Sequence, residues 1–155
     1  MILVSSCLAG QPVRFNGTNC FDDKIGQLIR EGKAMTVCPE LLGGFLVPRQ
    51  PAEIIGGNGY DVLDGKANVI DITGEDVTDL YVKGAYETLR VAHDLHASHI
   101  ILKETSPSCG SAAIYNGEFK GQKIQGVGVT TALLRRNGFQ VISEESIDEF
   151  LQDFS

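Results

Sequence analysis

The sequence has four cysteines but no C-x-x-C pair, which excludes zinc ribbons, thioredoxin-type redox sites and ferredoxin-type cysteine runs. It has no apolar run near the ~18–20 residues that a membrane-spanning helix requires. It is also short of positive charge: 13 Lys and Arg stand against 20 Asp and Glu, giving a net charge of −7 and a pI of about 4.9. An acidic surface repels phosphate backbones and anionic membranes, which argues against nucleic acid or membrane as a partner. No internal repeat, linker or charge block divides the chain. At the start, Val4-Ser5-Ser6-Cys7 has a faint look of a lipoprotein cleavage site, but no basic n-region precedes it and its apolar stretch is shorter than the ~7–15 residues of a signal peptide. The expectation is therefore a cytoplasmic protein, whose thiols stay reduced and are inert, catalytic or metal-bound.

What is present fits one domain spanning residues 1–155, with 43% hydrophobic and 21% charged residues, enough for a core without disulfides. Four short apolar runs read as buried strands: Met1–Ser5, Ala34–Val37, His99–Lys103 and Gln140–Ser143. Helical spacing of apolar residues predicts helices over Phe21–Glu31, Val77–His96, Val129–Arg136 and Ile147–Phe154. Gly32 and Asn137-Gly138 act as stops, Thr73 with Asp76 as a capping box, and Ser143 or Ser146 as a cap. The alternation predicts an α/β fold, a single Rossmann-like domain with a mainly parallel sheet flanked by helices. The glycine-rich middle, Gly43–Gly74, is long for a plain loop and is expected to be functional or to hold short irregular strands. Glycine is in excess, 18 of 155 residues, about 12% against a usual ~7%, and it is scattered, as many tight turns or close backbone approaches require.

Cys7, Cys38 and Cys109 each fall just past the carboxyl end of a predicted strand. In an open parallel sheet those ends share one edge, where ligands bind, so three thiols from distant segments converge on one site. A single free cysteine often merely packs. Here, however, the surroundings are polar and turn-forming: Cys38-Pro39-Glu40 and Ser106-Pro107-Ser108-Cys109-Gly110. Cys20 follows the turn-like Asn16-Gly17-Thr18-Asn19 and is read as a bystander. A structural zinc takes four protein ligands, so three leave the open position of a Lewis-acid site. An all-sulfur set suits zinc or an iron–sulfur cluster, and a 4Fe–4S cluster on three cysteines leaves one iron free. Spacing alone does not choose between them.

The motifs, taken in order, resemble those of the small 2-thiouracil desulfidases, a family formerly labelled a domain of unknown function. The resemblance spans nearly the whole chain. It is carried by Ser6-Cys7-Leu8-Ala9-Gly10, Pro12-Val13-Arg14-Phe15-Asn16-Gly17, Cys38-Pro39-Glu40 and Pro48-Arg49-Gln50-Pro51-Ala52-Glu53-Ile54. It continues through Ile101-Leu102-Lys103, Ser106-Pro107-Ser108-Cys109-Gly110, Gly126-Val127-Gly128-Val129-Thr130 and Ser143-Glu144-Glu145. It implies a 4Fe–4S cluster on Cys7, Cys38 and Cys109 and a non-redox reaction in which the open iron takes a thiocarbonyl sulfur and water replaces it. The products are uracil and sulfide, and the partner is a small thiopyrimidine or thionucleoside. One departure is Phe15-Asn16-Gly17, where the family pattern more usually has a tyrosine and an aspartate.

On that reading Glu40, two residues from a ligand, is the base for the attacking water. Without the resemblance it reads as a surface or capping carboxylate. Ser106 is the preferred catalytic serine, and Ser108 and Gly110 are expected at the substrate, where backbone groups can read a pyrimidine edge. Arg14 and Arg49 are expected to offset cluster charge or a developing anion, the alternative being surface ion pairs. Gly10, Gly110, Gly126 and Gly128 are expected to let backbone approach cluster or base. His93, His96 and His99 lie near a helix end, where histidine is favourable on dipole grounds alone, and are read as structural. Two other readings stand beside the desulfidase: a Cys₃ zinc hydrolase with Glu40 as base, and a non-catalytic module binding a metal or a base.

Overall fold

The computed structural model describes residues 1–154, with side chains through residue 152. In chain order the elements are β1 (Ile2–Ser5), α1 (Asp23–Arg30), β2 (Ala34–Val37), α2 (Pro39–Leu42), β3 (Ala52–Ile55), α3 (Gly59–Leu63) and β4 (Asn68–Asp71). There follow α4 (Thr78–Asp94), β5 (His99–Leu102), β6 (Ala113–Tyr115), β7 (Lys123–Gln125), α5 (Val129–Arg136), β8 (Val141–Ser143) and α6 (Ile147–Phe154).

The four apolar runs form one parallel sheet in the order β2-β1-β5-β8. Successive strand residues point to opposite faces. Ile2 and Val4 pack with Ile25 and Leu28 of α1, Ile101 of β5 and Ile147 of α6. Leu3 packs with Ile100 and Leu102 of β5, Ala92 of α4 and Leu134 of α5 on the other face. Because both faces are covered, the strand sequences read as continuous apolar runs rather than alternating ones. A third cluster joins Ala52 and Ile54 of β3, Val69 of β4, Tyr81 and Ala85 of α4, Ile114 of β6 and Val129 of α5. Helix α4 is thus shared: its first half packs on the β3–β4 pair and its second half on the sheet. Each fully buried Leu or Ile contributes about 1.5–3 kcal/mol by burial, so these clusters set the frame.

Helix ends follow local chemistry. Asp22 caps α1, accepting from the N–H groups of Lys24 and Ile25 at 2.9 and 3.3 Å. Gly32 and Gly138 take the left-handed conformation just past α1 and α5, with φ +72° and +86°. The expected Thr73–Asp76 capping box does not form. Asp71, at the end of β4, takes the Thr73 N–H and hydroxyl at 2.9 and 2.5 Å, while Asp76 accepts from the N–H of Thr78 at 2.9 Å. Ser143 accepts from the N–H of Glu145 at 3.1 Å and starts the 3₁₀ turn Glu144–Ser146 that leads into α6.

The glycine-rich middle contains the antiparallel pair β3–β4 with α3 between its strands. The β6–β7 hairpin was not anticipated; Lys123–Gln125 is exposed throughout and carries no burial signal. Among the described residues, no helix is long and apolar enough to cross a membrane.

Candidate active site

Parallel register brings the carboxyl ends of all four strands to one edge, with Ser5 beside Val37 and Leu102 beside Ser143. From β1 the chain enters the 3₁₀ turn Ser6–Ala9 carrying Cys7, and from β2 it enters α2 with Cys38 at the N-cap position. From β5 it enters the loop carrying Cys109. Strands β2 and β5 flank β1, so the strand order reverses there and a crevice opens. A cavity of about 450 Å³ occupies that edge. Cys7, Cys38, Cys109, Arg14, Glu40, Arg49, Lys103 and Ser106 all line it. Its opposite wall comes from the antiparallel pairs, through Glu53, Ile72, Tyr115 and Phe119, with Tyr81 contributed by α4.

All four cysteines are free, Cys7 and Cys109 buried and Cys38 half-buried. Burial pushes the Cys7 thiol up to about 12, and the nearby Cys20 and Cys38 add to that, against Lys103 and Arg14. Burial and then Glu40 push Cys109 up, with the hydroxyls of Ser108 and Ser106 opposing. Burial also raises Cys38, while the N–H of Leu41 works the other way. Such thiols are weak nucleophiles by themselves, and a bound cation would hold them as thiolates. Among the described residues, no three His, Cys, Asp or Glu side chains stand close enough to hold a single metal ion. Three soft donors spread around one cavity fit a cluster with separate iron corners better than a lone ion.

Cys20 is also close. Its N–H donates to the Cys7 carbonyl at 2.9 Å, but its side chain packs with the core cluster of Ile2 and Ile25 and does not line the cavity.

Glu40 is held at one oxygen. Its Oε2 accepts from Arg49 Nε at 3.0 Å and from the Tyr81 hydroxyl at 3.3 Å, and Arg49 closes the ion pair with a second nitrogen at 3.0 Å. Its Oε1 has no hydrogen-bond partner among the described residues. The contact with Tyr81 depends on α2 lying directly on α4. A Cβ at Gly84 would sit 2.1 Å from the Pro39 carbonyl oxygen, so only glycine permits that approach. Arg49 also donates to the Val13 carbonyl at 2.9 Å, and its side chain is 7% exposed. Arg49 thus makes an ion pair, the alternative the sequence offered, but inside the cavity wall rather than on the surface. Arg14 lines the cavity with no hydrogen bond or ion pair to its guanidinium among the described residues.

The Cys109 loop is tied down by its neighbours. Ser106 Oγ accepts from the N–H groups of Cys109 and Ser108 at 2.7 and 3.2 Å. Glu104 Oε1 accepts from the Ser111 N–H at 2.7 Å, and its Oε2 from the Ser111 hydroxyl at 2.7 Å. Ser108 is 1% exposed, meets Thr130 Oγ1 at 2.7 Å and does not line the cavity. Gly110 is buried against the Ala113 carbonyl and Ile114 and does not line it either. The expectation for Gly10, Gly126 and Gly128 shifts likewise, because what they approach is protein: Phe21, Asn58 with Ile114, and the Ser108–Cys109 backbone.

Lys103, at the end of β5, pairs with Glu144 at 3.0 Å. Burial works against its charge, but Glu144 outweighs that and the pKa is raised. Lys103, Tyr81, Glu53 and Glu104 were given no role from sequence. The polar pair Lys103-Glu104 at the end of an apolar strand was a usable signal, whereas Tyr81 sits on an apolar helix stripe and gave none. The histidines do not meet: the rings of His93 and His99 pack on Phe139 and Phe150 at 5.2 and 5.0 Å.

Three comparisons bear on this site. A Bacillus subtilis (strain 168) protein described as uncharacterized protein YbbK is 57% identical over 151 residues, covering 97% of this chain and 100% of its own. A solved structure of the 4Fe–4S-dependent thiouracil desulfidase TudS matches with a TM-score of 0.86 at 41% identity, over 99% of this chain and 96% of that one. The family model of 2-thiouracil desulfurase matches residues 2–146, which takes in all three strand-end cysteines and the whole cavity wall. The chain belongs to the 2-thiouracil desulfurase family.

Proposed function

We propose that this chain is a desulfidase that exchanges the thiocarbonyl sulfur of a thiopyrimidine such as 2-thiouracil for oxygen. Water supplies the oxygen, its two hydrogens leave with the sulfur as hydrogen sulfide, and no net electron transfer occurs. The observation that carries this reading is the meeting of three free thiols with a half-secured carboxylate in one cavity, in a chain of this family.

Cys7, Cys38 and Cys109 would hold the cofactor, a 4Fe–4S cluster. When bound, that cluster supplies a Lewis-acidic iron without a protein ligand, which polarises a carbon–sulfur double bond. Arg49 and Tyr81 fix Glu40 Oε2 and leave Oε1 to take a proton from the attacking water. Ser106 spends its oxygen lone pairs on the N–H groups of the Cys109 loop and its hydroxyl on the Cys109 sulfur, where it favours the thiolate. Arg14 and Lys103 place positive charge near Cys7, where it favours an anionic sulfur product.

The test is sulfide release by anaerobically reconstituted protein from a panel of thiobases and thionucleosides. The expected protein is brown, absorbs at about 400 nm as thiolate-bound iron–sulfur sites do, and carries about four irons. Glu40→Gln is expected to retain the iron and lower kcat by about 10²–10⁴. A colourless protein holding one zinc overturns the cluster. An iron-loaded protein that releases no sulfide from any member of the panel favours a binding module instead.

A further inference from the structure

The cavity wall opposite the thiols contains a carboxylate that the reaction above does not use. Glu53, on β3, is 8% exposed and lines the cavity. Its Oε1 accepts from the N–H groups of Gly117 and Phe119, at 2.8 and 3.3 Å, in the turn between β6 and β7. Its Oε2 accepts nothing among the described residues, and no cationic side chain there pairs with it. With no donor from the protein, that oxygen is available to a ligand in the cavity that Glu53 lines. The same cavity is lined by the apolar or aromatic side chains of Phe15, Ile72, Tyr115 and Phe119. That combination suits the edge of a planar heterocycle: rings against its faces, an acceptor against a ring N–H.

We propose that Glu53 is a specificity-determining residue, its free Oε2 accepting a hydrogen bond from a ring N–H of the thiobase. This rests on the desulfidase reading, since it takes a thiobase as the ligand. It adds a requirement that desulfuration by itself does not impose, namely that a good substrate presents an N–H to the wall opposite the thiols. Sites built to pair with a donor discriminate strongly against analogues that lack it.

The experiment compares 2-thiouracil with its 1-methyl and 3-methyl derivatives, using the iron-loaded wild type and Glu53→Gln. The glutamine keeps an acceptor for Gly117 and Phe119 but turns an N–H toward the substrate. With wild type, one methyl isomer is expected to lose about tenfold to a hundredfold in kcat/KM. Glu53→Gln is expected to raise KM for 2-thiouracil by a similar factor at nearly unchanged kcat, and to cost nothing further against that isomer. Two results overturn the proposal: both isomers turned over as well as the parent, or a Glu53→Gln loss equal for all three compounds. Calorimetric binding of 2-thiouracil separates the two readings. Binding that weakens in Glu53→Gln without any sulfide release by wild type sinks the desulfidase and leaves Glu53 as the reader. Sulfide release indifferent to Glu53 and to ring methylation does the reverse.

Discussion

The sheet edge and the antiparallel wall face each other across one cavity, but they are built differently. The thiols stand at the ends of strands buried on both faces, where Ile2, Leu3, Val4, Ile100, Ile101 and Leu102 are all at 0% exposure. The opposite wall hangs on hairpins whose outer residues are exposed, Ile55 and Ile124 among them, and whose turn is held by Glu53. Elements with few buried contacts open locally at lower cost than core strands. The stiffest part of the molecule therefore carries the proposed ligand set, and the softer part carries the wall proposed to meet the rest of the substrate. On this view, changes at the sheet edge abolish function, whereas changes in the hairpins retune substrate range.

The largest effect belongs to the thiols. Cys7→Ser, Cys38→Ser and Cys109→Ser are each expected to lose the iron and all sulfide release, while Cys20→Ser keeps both. Iron content, visible absorbance and the sulfide assay check it. If Cys20→Ser loses its iron and one of the other three retains it, the ligand set is drawn wrongly and the comparison breaks at its centre.

Next comes the backbone that presents Cys109. A Cβ at Gly128 would lie 2.4 Å from the Ser108 carbonyl and 2.7 Å from the Cys109 nitrogen. Neither is a flexible side chain, so one segment must move. Gly128→Ala is expected to cost about 3 kcal/mol in denaturant unfolding and to lower iron retention. A variant of normal stability that binds iron poorly sharpens the comparison, since it shows that loop placement matters apart from the core.

The same contrast explains what was legible in the sequence. The sheet strands are short, apolar and bounded by turn residues, and the structure places all four in the parallel sheet within a residue or two. The meeting of Cys7, Cys38 and Cys109 on one cavity followed from their shared position after those strands, because parallel strands bring their carboxyl ends together. The antiparallel wall was opaque. The strand Lys123–Gln125 is exposed along its length, and its pairing with Ala113–Tyr115 depends on a turn rather than on burial. Side-chain partners could not be read from sequence: Arg49 meets Glu40 and Val13, and Ser108 meets Thr130 away from the cavity. Glu104 had a local signal in its place beside Lys103 after an apolar strand, but its partners Ser111, Ala112 and Ala113 only gather around it once the Cys109 loop closes.

Glu104 gives a pH test of that closure. Burial alone would raise its pKa, but the Ser111 hydroxyl and the N–H groups of Ala112, Ala113 and Ser111 together hold it below the ordinary 4.5. A carboxyl with a depressed folded value contributes stability that is present above the unfolded value and lost as pH falls through the folded one. Glu104→Gln is expected to cost about 2 kcal/mol at neutral pH, read by thermal unfolding. The gap from wild type should then narrow as the pH is taken below about 4.5. A gap that stays constant down to strongly acid pH places the stabilisation elsewhere than in the ionised carboxylate.

The smallest effect tests a third segment, the loop between the two regions. Asn16 stands where the family pattern more usually has an aspartate, and it does not line the cavity, although its neighbours Arg14 and Phe15 do. Its Oδ1 accepts from the Thr18 N–H and hydroxyl at 3.1 and 2.5 Å, a local turn on the surface. An aspartate makes both contacts equally well, so the turn and the presentation of Arg14 survive either residue. Asn16→Asp is expected to leave kcat/KM within about twofold, because an exposed charge is largely screened. A loss of tenfold or more means that the added charge reaches the unpaired Arg14 guanidinium. The loop would then belong with the sheet edge, among the parts that cannot change without loss of function.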